Sequence, residues 1–250
     1  MEENNTNRPQ DNEVRIALDG KRVQDLSPAL QDFVESLFPK AKQSDVVKCE
    51  LCDRYEKPDI RIVVGDEMHF VSLKSGRSKS IHYESIRNLI LFLRSLGVSE
   101  ATQKTLLLFH YGDGTMTGKG ETRLSRDDVM EKYKDRIALA MKELNKAKFL
   151  RACLKRFVFS GSELRAHSAE FLSFGDITTF LTVTKDEVFD FVMRQNYDYI
   201  RSAHIGPMLL SPWQRNLDRK EDIEWKREIV HVTWPYLLTD IQKMIKRRGH

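Results

Sequence analysis

One short segment of the chain combines carboxylate, hydroxyl and lysine side chains at a spacing that two neighbouring strands would bring together. Its sequence, residues 57 to 84, is KPDIRIVVGDEMHFVSLKSGRSKSIHYE, with Asp59 near the start, Ser72 and Lys74 in the middle and Glu84 at the end. Carboxylate oxygens are ligands that Mg²⁺ prefers, and a lysine beside them can orient a water or offset phosphate charge. The segment therefore holds the residue types for metal-assisted hydrolysis of a phosphate ester.

A β-hairpin is predicted across the first part of this segment. Residues 60–64 and 68–73 are rich in β-branched and apolar side chains, and Gly65-Asp66-Glu67 between them is a turn signal. Directly paired residues of a hairpin share one face of the sheet, so the length of the turn decides which side chains meet.

The register of this hairpin controls the candidate site. A two-residue turn, in either of two registers, places Asp59, Ser72 and Lys74 on one face. A three-residue turn would move Asp59 to the opposite face. Glu84 follows Lys74 by ten residues, in the first turns of the next predicted helix. We therefore expect Asp59 and Glu84 to lie close enough to share a metal ion.

The rest of the chain mixes predicted helices and strands, which indicates the α/β (α+β) class. The predicted helices lie at 28–38, 80–96, 125–149, near 185–195 and near 235–248, the further strands at 45–52 and 105–110, and a loop at 112–123. Residues 1–13 are polar and are expected to be a disordered tail. Residues 14–250 are expected to form a single domain, with a C-terminal subdomain from about residue 150 as an alternative.

Composition narrows the class of protein further. The 250 residues carry a formal net charge of +4, which suits a nucleic-acid partner. No apolar run reaches the roughly 18 residues that a membrane span needs, so we expect a cytoplasmic protein with no membrane partner. Three cysteines argue against a secreted disulfide framework. Cys49 and Cys52 leave open half a zinc site, a redox pair or buried thiols on or beside a strand. The thiols are favoured, because no second paired motif is present for zinc and the segment reads as extended, whereas a redox pair usually opens a helix.

The hairpin segment resembles the PD-(D/E)xK nuclease superfamily, whose best-known members are type II restriction enzymes. The family pattern is Pro-Asp and then, on the next strand, an acidic residue, any residue and lysine. Pro58, Asp59 and Lys74 match this pattern, whereas Ser72 stands at the acidic position. Some restriction enzymes of the superfamily also carry serine there and place a glutamate on the following helix. Glu84 resembles that glutamate, although the number of residues between it and the lysine differs somewhat.

The resemblance implies a restriction-endonuclease-like core, with a central mixed sheet flanked by helices. It also implies a Mg²⁺-dependent DNA endonuclease of restriction or defence type, with one or two ions bound by Asp59 and Glu84. Lys74 would orient or help deprotonate the attacking water, and Ser72 would position a metal-bound water. Glu35, on an early helix, resembles a glutamate that often precedes the core strands. Symmetric cleavage of double-stranded DNA would call for a homodimer.

Basic residues beside the segment and in two later stretches are candidates for DNA contact. The alternatives are solvated charge beside the segment, a plain surface loop, which is favoured, at 112–123, and core packing for Trp213. The candidate residues are Arg77 and Lys79 next to the site, Lys119 and Arg123 around the 112–123 loop, and Arg215 near Trp213.

Two other functions stay open from the sequence. Ser72 motivates a catalytically weak nucleic-acid-binding module on the same fold, which metal-dependent cleavage would rule out. A structural or interaction protein with a fortuitous motif is the third reading, and an absence of DNA binding would favour it.

Binding to DNA is predicted to weaken as salt rises, because lysines and arginines that neutralise phosphates release counterions. The logarithm of the association constant should fall linearly with the logarithm of NaCl concentration in an anisotropy titration with a labelled duplex. An affinity that stays constant across the salt range would argue against a nucleic-acid partner.

Overall fold

The computed structural model of the protein describes residues 9–53, 56–75, 79–120, 123–162, 167–197, 202–212 and 226–248. The fold is mixed α/β, as predicted, with two sheets flanked by helices. The chain divides into two compact units: unit 1 contains Met1–Ser78, Lys155–Phe191 and Tyr236–His250, and unit 2 contains Lys79–Leu154 and Val192–Pro235. Residues after 150 thus contribute to both units, and the single domain from 14 to 250 stays a prediction.

The helices and strands are numbered in chain order. They are α1 (Pro9–Leu18), α2 (Pro28–Leu37), β1 (Val47–Leu51), β2 (Ile60–Val64), β3 (Glu67–Lys74), β4 (Ser80–Ser85), α3 (Ile86–Ser95), α4 (Glu100–Tyr111), α5 (Arg126–Lys132), α6 (Lys134–Leu144), α7 (Ala147–Leu154), β5 (Phe171–Asp176), β6 (Thr179–Thr184), α8 (Lys185–Met193), β7 (His204–Ile205), β8 (Met208–Pro212), β9 (Ile229–Thr233) and α9 (Leu237–Arg247). A 3₁₀ turn at Val23–Asp25 and a π-helical segment at Lys155–Ser160 complete the described elements.

Several predicted elements are confirmed. The structure contains the early helix as α2, the helices near 185 and 235 as α8 and α9, the strand near 45 as β1 and the hairpin as β2 and β3. The described part of the 112–123 stretch is a loop, as predicted.

Other predicted elements are wrong, and the reason lies in packing. The helix predicted from residue 80 begins only at Ile86, because residues 80–85 pair with β9 as strand β4. The run at 105–110 is helical rather than a strand, since α4 is buried around most of its circumference and a buried helix shows no polar face. The helix predicted at 125–149 is three helices, and residues 9–13 of the predicted tail belong to α1.

Unit 1 is built on a five-stranded mixed sheet in the order β1-β2-β3-β5-β6. All neighbours pair antiparallel except β3 and β5, which are parallel. Helices α1 and α2 contribute apolar side chains to a core with the first three strands, and Phe33 of α2 stacks on Phe180 of β6 with ring centroids 4.3 Å apart. Leu73 belongs to this core. Because side chains alternate along a strand, Ser72 and Lys74 lie on the opposite face.

Cys49 also points into this core, from β1. Burial, followed by the nearby Asp19 carboxylate, raises the pKa of the Cys49 thiol to about 12. A thiol held protonated in this way is a poor nucleophile and a poor metal ligand. The hypothesis of a buried structural thiol is therefore confirmed for Cys49.

Unit 2 contains a four-stranded antiparallel sheet in the order β4-β9-β8-β7. Helix α3 follows β4 directly, and the Ser85 hydroxyl caps it by accepting a hydrogen bond from the Asn88 N–H at 3.1 Å. Helix α4 packs against α3, α6 and β8. Among the described residues, no helix combines the length and the apolar character needed to cross a membrane.

The hairpin in unit 1 has the two-residue turn on which the candidate site depends. Val64 pairs with Glu67, and Gly65 has a positive φ of 60°. A glycine at the first position of a two-residue loop suits the strong twist of a hairpin. Counting from this register, Asp59 stands opposite Ser72.

Replacing Gly65 by alanine is predicted to lower the free energy of unfolding by about 1 to 2 kcal/mol, because an L-residue resists positive φ. An added Cβ would meet no atom within 4 Å, so the loss would come from the backbone alone. Asp66→Ala is the matched control, since Asp66 keeps a negative φ. Urea unfolding of both variants measures the difference, and equal stabilities would contradict the assigned turn.

Candidate functional site

Asp59 gathers a hydroxyl, a backbone amide and a lysine around one oxygen atom. Its Oδ2 accepts hydrogen bonds from Ser72 Oγ at 3.1 Å, from the Leu73 N–H at 2.6 Å and from Lys74 Nζ at 3.2 Å. We call these four residues the Asp59 cluster. The prediction that Asp59, Ser72 and Lys74 share one face of the hairpin is confirmed.

The backbone of Asp59 explains its position. Asp59 directly precedes β2, and its N–H donates to the Val71 carbonyl at 2.9 Å while its carbonyl accepts from the Cys52 N–H at 3.1 Å. The residue is thus fixed between the ends of β1 and β3. Its side chain is 15% exposed and that of Lys74 is 16% exposed, so the pair remains open to solvent and to ligands, whereas Ser72 is fully buried.

Lys74 lies between two oxygen atoms of different kinds. Its Nζ donates to Asp59 Oδ2 at 3.2 Å and to the Leu73 carbonyl at 2.6 Å. The two oxygens that converge on the Lys74 ammonium group are a carboxylate and a carbonyl oxygen, and a hard metal ion prefers oxygen donors of these kinds. The chemistry of the Asp59 cluster therefore fits Mg²⁺, which usually binds through one or two carboxylates together with water and substrate phosphate.

Glu84 was predicted to lie on a helix, and this is wrong. It lies on strand β4 of unit 2. Its side chain is only 1% exposed, and its Oε1 lies 3.4 Å from Nε2 of His82, which is two residues earlier on the same strand face. Asp59 belongs to unit 1. The predicted approach of Glu84 to Asp59 stays a prediction.

Glu35 lies on the exposed side of α2. Its carboxylate accepts a hydrogen bond from Gln43 Nε2 at 3.3 Å. A role for Glu35 in the site stays a prediction.

The predicted DNA-contacting residues have different surroundings. Lys79 and Lys119 are exposed. Arg123 is half-buried in unit 2, and burial followed by the nearby Arg227 guanidinium lowers its pKa from the ordinary value. Arg77 and Arg215, together with Trp213, lie outside the described residues.

The loop after α4 is organised by Asp113, which sequence reasoning missed. Asp113 Oδ1 accepts from the Thr115 N–H at 2.9 Å, and Oδ2 accepts from the Gly120 N–H at 2.8 Å. Burial raises the pKa of Asp113, but these hydrogen bonds outweigh it and hold the pKa below its ordinary value. The side chain of Arg227 donates to the Gly118 carbonyl at 2.6 Å and closes the loop. An aspartate that bonds to the amide two residues on is a recognised turn signal, so the sequence held a clue.

Comparisons of the chain with models of protein families, with curated proteins and with solved structures found no match. Within the described parts of the chain, no three His, Cys, Asp or Glu side chains are grouped so that they could hold a metal ion. Asp59 is the one carboxylate of its cluster, so the cluster would bind a metal ion together with water, phosphate or a further carboxylate.

Asp59→Ala is predicted to lower the free energy of unfolding by about 1 to 3 kcal/mol, because it leaves the Leu73 N–H and the buried Ser72 hydroxyl without their acceptor. Glu50→Ala on β1 is the matched control: Glu50 forms an exposed ion pair with Arg61, and such pairs contribute at most about 1 kcal/mol. Thermal unfolding compares the two variants. A loss for Asp59→Ala no larger than that for Glu50→Ala would show that the Asp59 contacts do not stabilise the hairpin.

Proposed function

We propose that the protein is a Mg²⁺-dependent endonuclease that hydrolyses phosphodiester bonds of DNA, in a restriction or defence role, and that the Asp59 cluster is its active site. The observation that carries the proposal is the meeting of Asp59 Oδ2, Ser72 Oγ and Lys74 Nζ on two adjacent strands, with the carboxylate and the ammonium group partly open to solvent. The mixed sheet of unit 1 supports a restriction-endonuclease-like core, because the two motif strands β2 and β3 are neighbours inside it.

The metal would be held first by the carboxylate of Asp59, with Glu84 as the proposed second protein ligand and one or two ions in the site. When bound, Mg²⁺ supplies positive charge to the phosphate and lowers the pKa of a coordinated water. A second carboxylate is chemically useful here, since Asp59 alone leaves most coordination positions to water and phosphate.

Lys74 has two successive roles in this proposal. Without a metal it neutralises Asp59, and its Nζ is held in place by the Leu73 carbonyl. In the reaction it would turn toward the phosphate, orient or help deprotonate the attacking water and offset the negative charge that grows on the phosphorus oxygens. The Ser72 hydroxyl would position a water but supply no charge.

The proposed partner is double-stranded DNA, and the proposed assembly is a homodimer in the cytoplasm. Lys79 and Lys119 are exposed and free of burial cost for phosphate contact. Arg77, Arg123 and Arg215 are the further proposed contacts.

A catalytically weak nucleic-acid-binding module is the second candidate, and the state of Ser72 favours it. Ser72 occupies the position of the usual family acid, is fully buried and already donates its hydrogen bond to Asp59. A site with one carboxylate fewer would bind the metal more weakly and cleave more slowly.

The proposal predicts that Lys74→Ala loses about 10²- to 10⁴-fold in cleavage rate, the range for loss of a positioned proton-transfer group. Asp59→Asn should lose Mg²⁺-dependent cleavage, because it removes the carboxylate that would bind the metal. Plasmid and phage DNA are incubated with Mg²⁺ or with EDTA, and EDTA should abolish cleavage by the wild type. Lys48→Ala is the matched control, because Lys48 is an exposed lysine of the same sheet on β1. Asp59→Asn is used in place of alanine because it keeps the shape of the side chain.

Two further results decide between the candidates. Ser72→Glu restores the usual family acid and should retain activity or restore it to a Glu84→Ala variant. DNA binding without Mg²⁺-dependent cleavage by the wild type would favour the binding module. Wild-type cleavage rates in both Lys74→Ala and Asp59→Asn would show that the active site lies elsewhere.

A further inference from the structure

A histidine–carboxylate pair lies in unit 1 outside the Asp59 cluster. Glu56 Oε1 is 3.0 Å from Nδ1 of His167 and also accepts a longer hydrogen bond, at 3.4 Å, from the His167 backbone N–H. The His167 ring stacks on Phe70 with ring centroids 4.4 Å apart and planes 17° from parallel. Glu56 thus holds the edge of the imidazole and Phe70 contacts its face. The His167 side chain is nevertheless 58% exposed.

The two partners of His167 are close in sequence to residues of the Asp59 cluster. Phe70 precedes Ser72 by two residues on β3 and therefore lies on the same face of the sheet. Glu56 precedes Asp59 by three residues along the chain. Because the His167 ring stacks on Phe70, it lies on the same face of the sheet as Ser72.

The chain around His167 is anchored to this face of unit 1. The Glu170 N–H donates to the Phe70 carbonyl at 2.8 Å, and the Ala169 N–H donates to the Phe159 carbonyl at 2.7 Å. Ser168 adds a contact between its Oγ and that of Ser160 at 3.1 Å. The residues that follow His167 are therefore held both to β3 and to the π-helical segment.

The contact with Glu56 also orients the ring. An ionised carboxylate only accepts hydrogen bonds, so in the proposed arrangement Nδ1–H faces Glu56. The second ring nitrogen, Nε2, is left to exchange a proton with a ligand. A carboxylate that orients a histidine in this way is the arrangement of general acid–base catalysis.

We propose that His167 is the general acid of the proposed nuclease, a catalytic residue that rests on the proposed function of the Asp59 cluster. The acid is the imidazolium form of His167, in which both ring nitrogens carry protons. As the water oxygen bonds to phosphorus and the bond from phosphorus to the leaving sugar oxygen breaks, the proton on His167 Nε2 moves to that sugar oxygen. The water loses a proton to solvent, with Lys74 assisting, and His167 recovers one from solvent. Glu56 is the positioning residue, because it holds Nδ1 and does not touch the substrate.

The test uses a leaving group that needs no proton. The wild type is first used to map a cleavage site and the product ends. A duplex with that site is then made with oxygen or with sulfur at the leaving bridging position, 3′ or 5′ as the ends require. His167→Gln should cleave the oxygen duplex about 10²- to 10⁴-fold more slowly than the wild type. It should cleave the sulfur duplex at about the wild-type rate, because a thiolate leaves without protonation.

His69→Gln is the matched control. His69 forms the other described histidine–glutamate pair of this sheet, with Nδ1 2.6 Å from Glu170 Oε2, and its ring packs beside Phe38 and Phe171. It stands one residue from Phe70 and therefore on the opposite face from His167. His69→Gln should cleave each of the two duplexes, oxygen and sulfur, at about the wild-type rate on that duplex.

Three outcomes overturn the inference or separate it from the proposed function. Equal slowing of His167→Gln on both duplexes would assign His167 a structural role, and a wild-type rate on the oxygen duplex would assign it none. If His167→Gln does not fold, Glu56→Gln replaces it and should show a smaller loss on the oxygen duplex that sulfur restores. Failure of the wild type itself to cleave with Mg²⁺ would overturn the proposed nuclease function and with it the role of His167.

Discussion

A single carboxylate oxygen, Asp59 Oδ2, joins the end of the hairpin to the lysine that the proposed chemistry needs. It accepts hydrogen bonds from the backbone of Leu73 and from the side chains of Ser72 and Lys74. The backbone bond fixes the carboxylate to β3, and the side-chain bonds fix the lysine and the serine to the carboxylate. The geometry of the site is therefore part of the geometry of the sheet, and a shift of one residue in hairpin register would take the site apart.

The same contacts explain how opposite charges can be kept in a half-buried position. An unpaired ammonium or carboxylate group in such a place would carry a large desolvation cost, and each group here offsets the other. A metal ion at Asp59, as proposed, would compete with Lys74 for the same oxygen. Release of Lys74 from Asp59 would then accompany metal binding, which would free the lysine for the phosphate only when the site is loaded.

The sequence predicted the local parts of this arrangement and missed those that depend on distant pairing. Gly65-Asp66-Glu67 predicts a hairpin turn but leaves its length open. The two-residue turn of the structure sets the register that brings Asp59, Ser72 and Lys74 together. Strand β4 was missed because its partner β9 lies far along the sequence, and its apolar residues also suit a helix. The Leu73 amide and carbonyl could not be found from residue types at all, since every residue carries these groups. Glu56 and His167 are likewise far apart in sequence and carry no shared motif.

The parallel pairing of β3 with β5 has a consequence for the order in which the protein can assemble. Parallel neighbours require a crossover, and here the crossover includes the first segment of unit 2. A ribosome must therefore release about a hundred more residues before the strand that carries Lys74 gains its second neighbour. During that interval the edge of β3 lacks its β5 partner, and an unpaired strand edge is a site where other chains can pair. A chain truncated before β5 would lack both the second neighbour of β3 and His167.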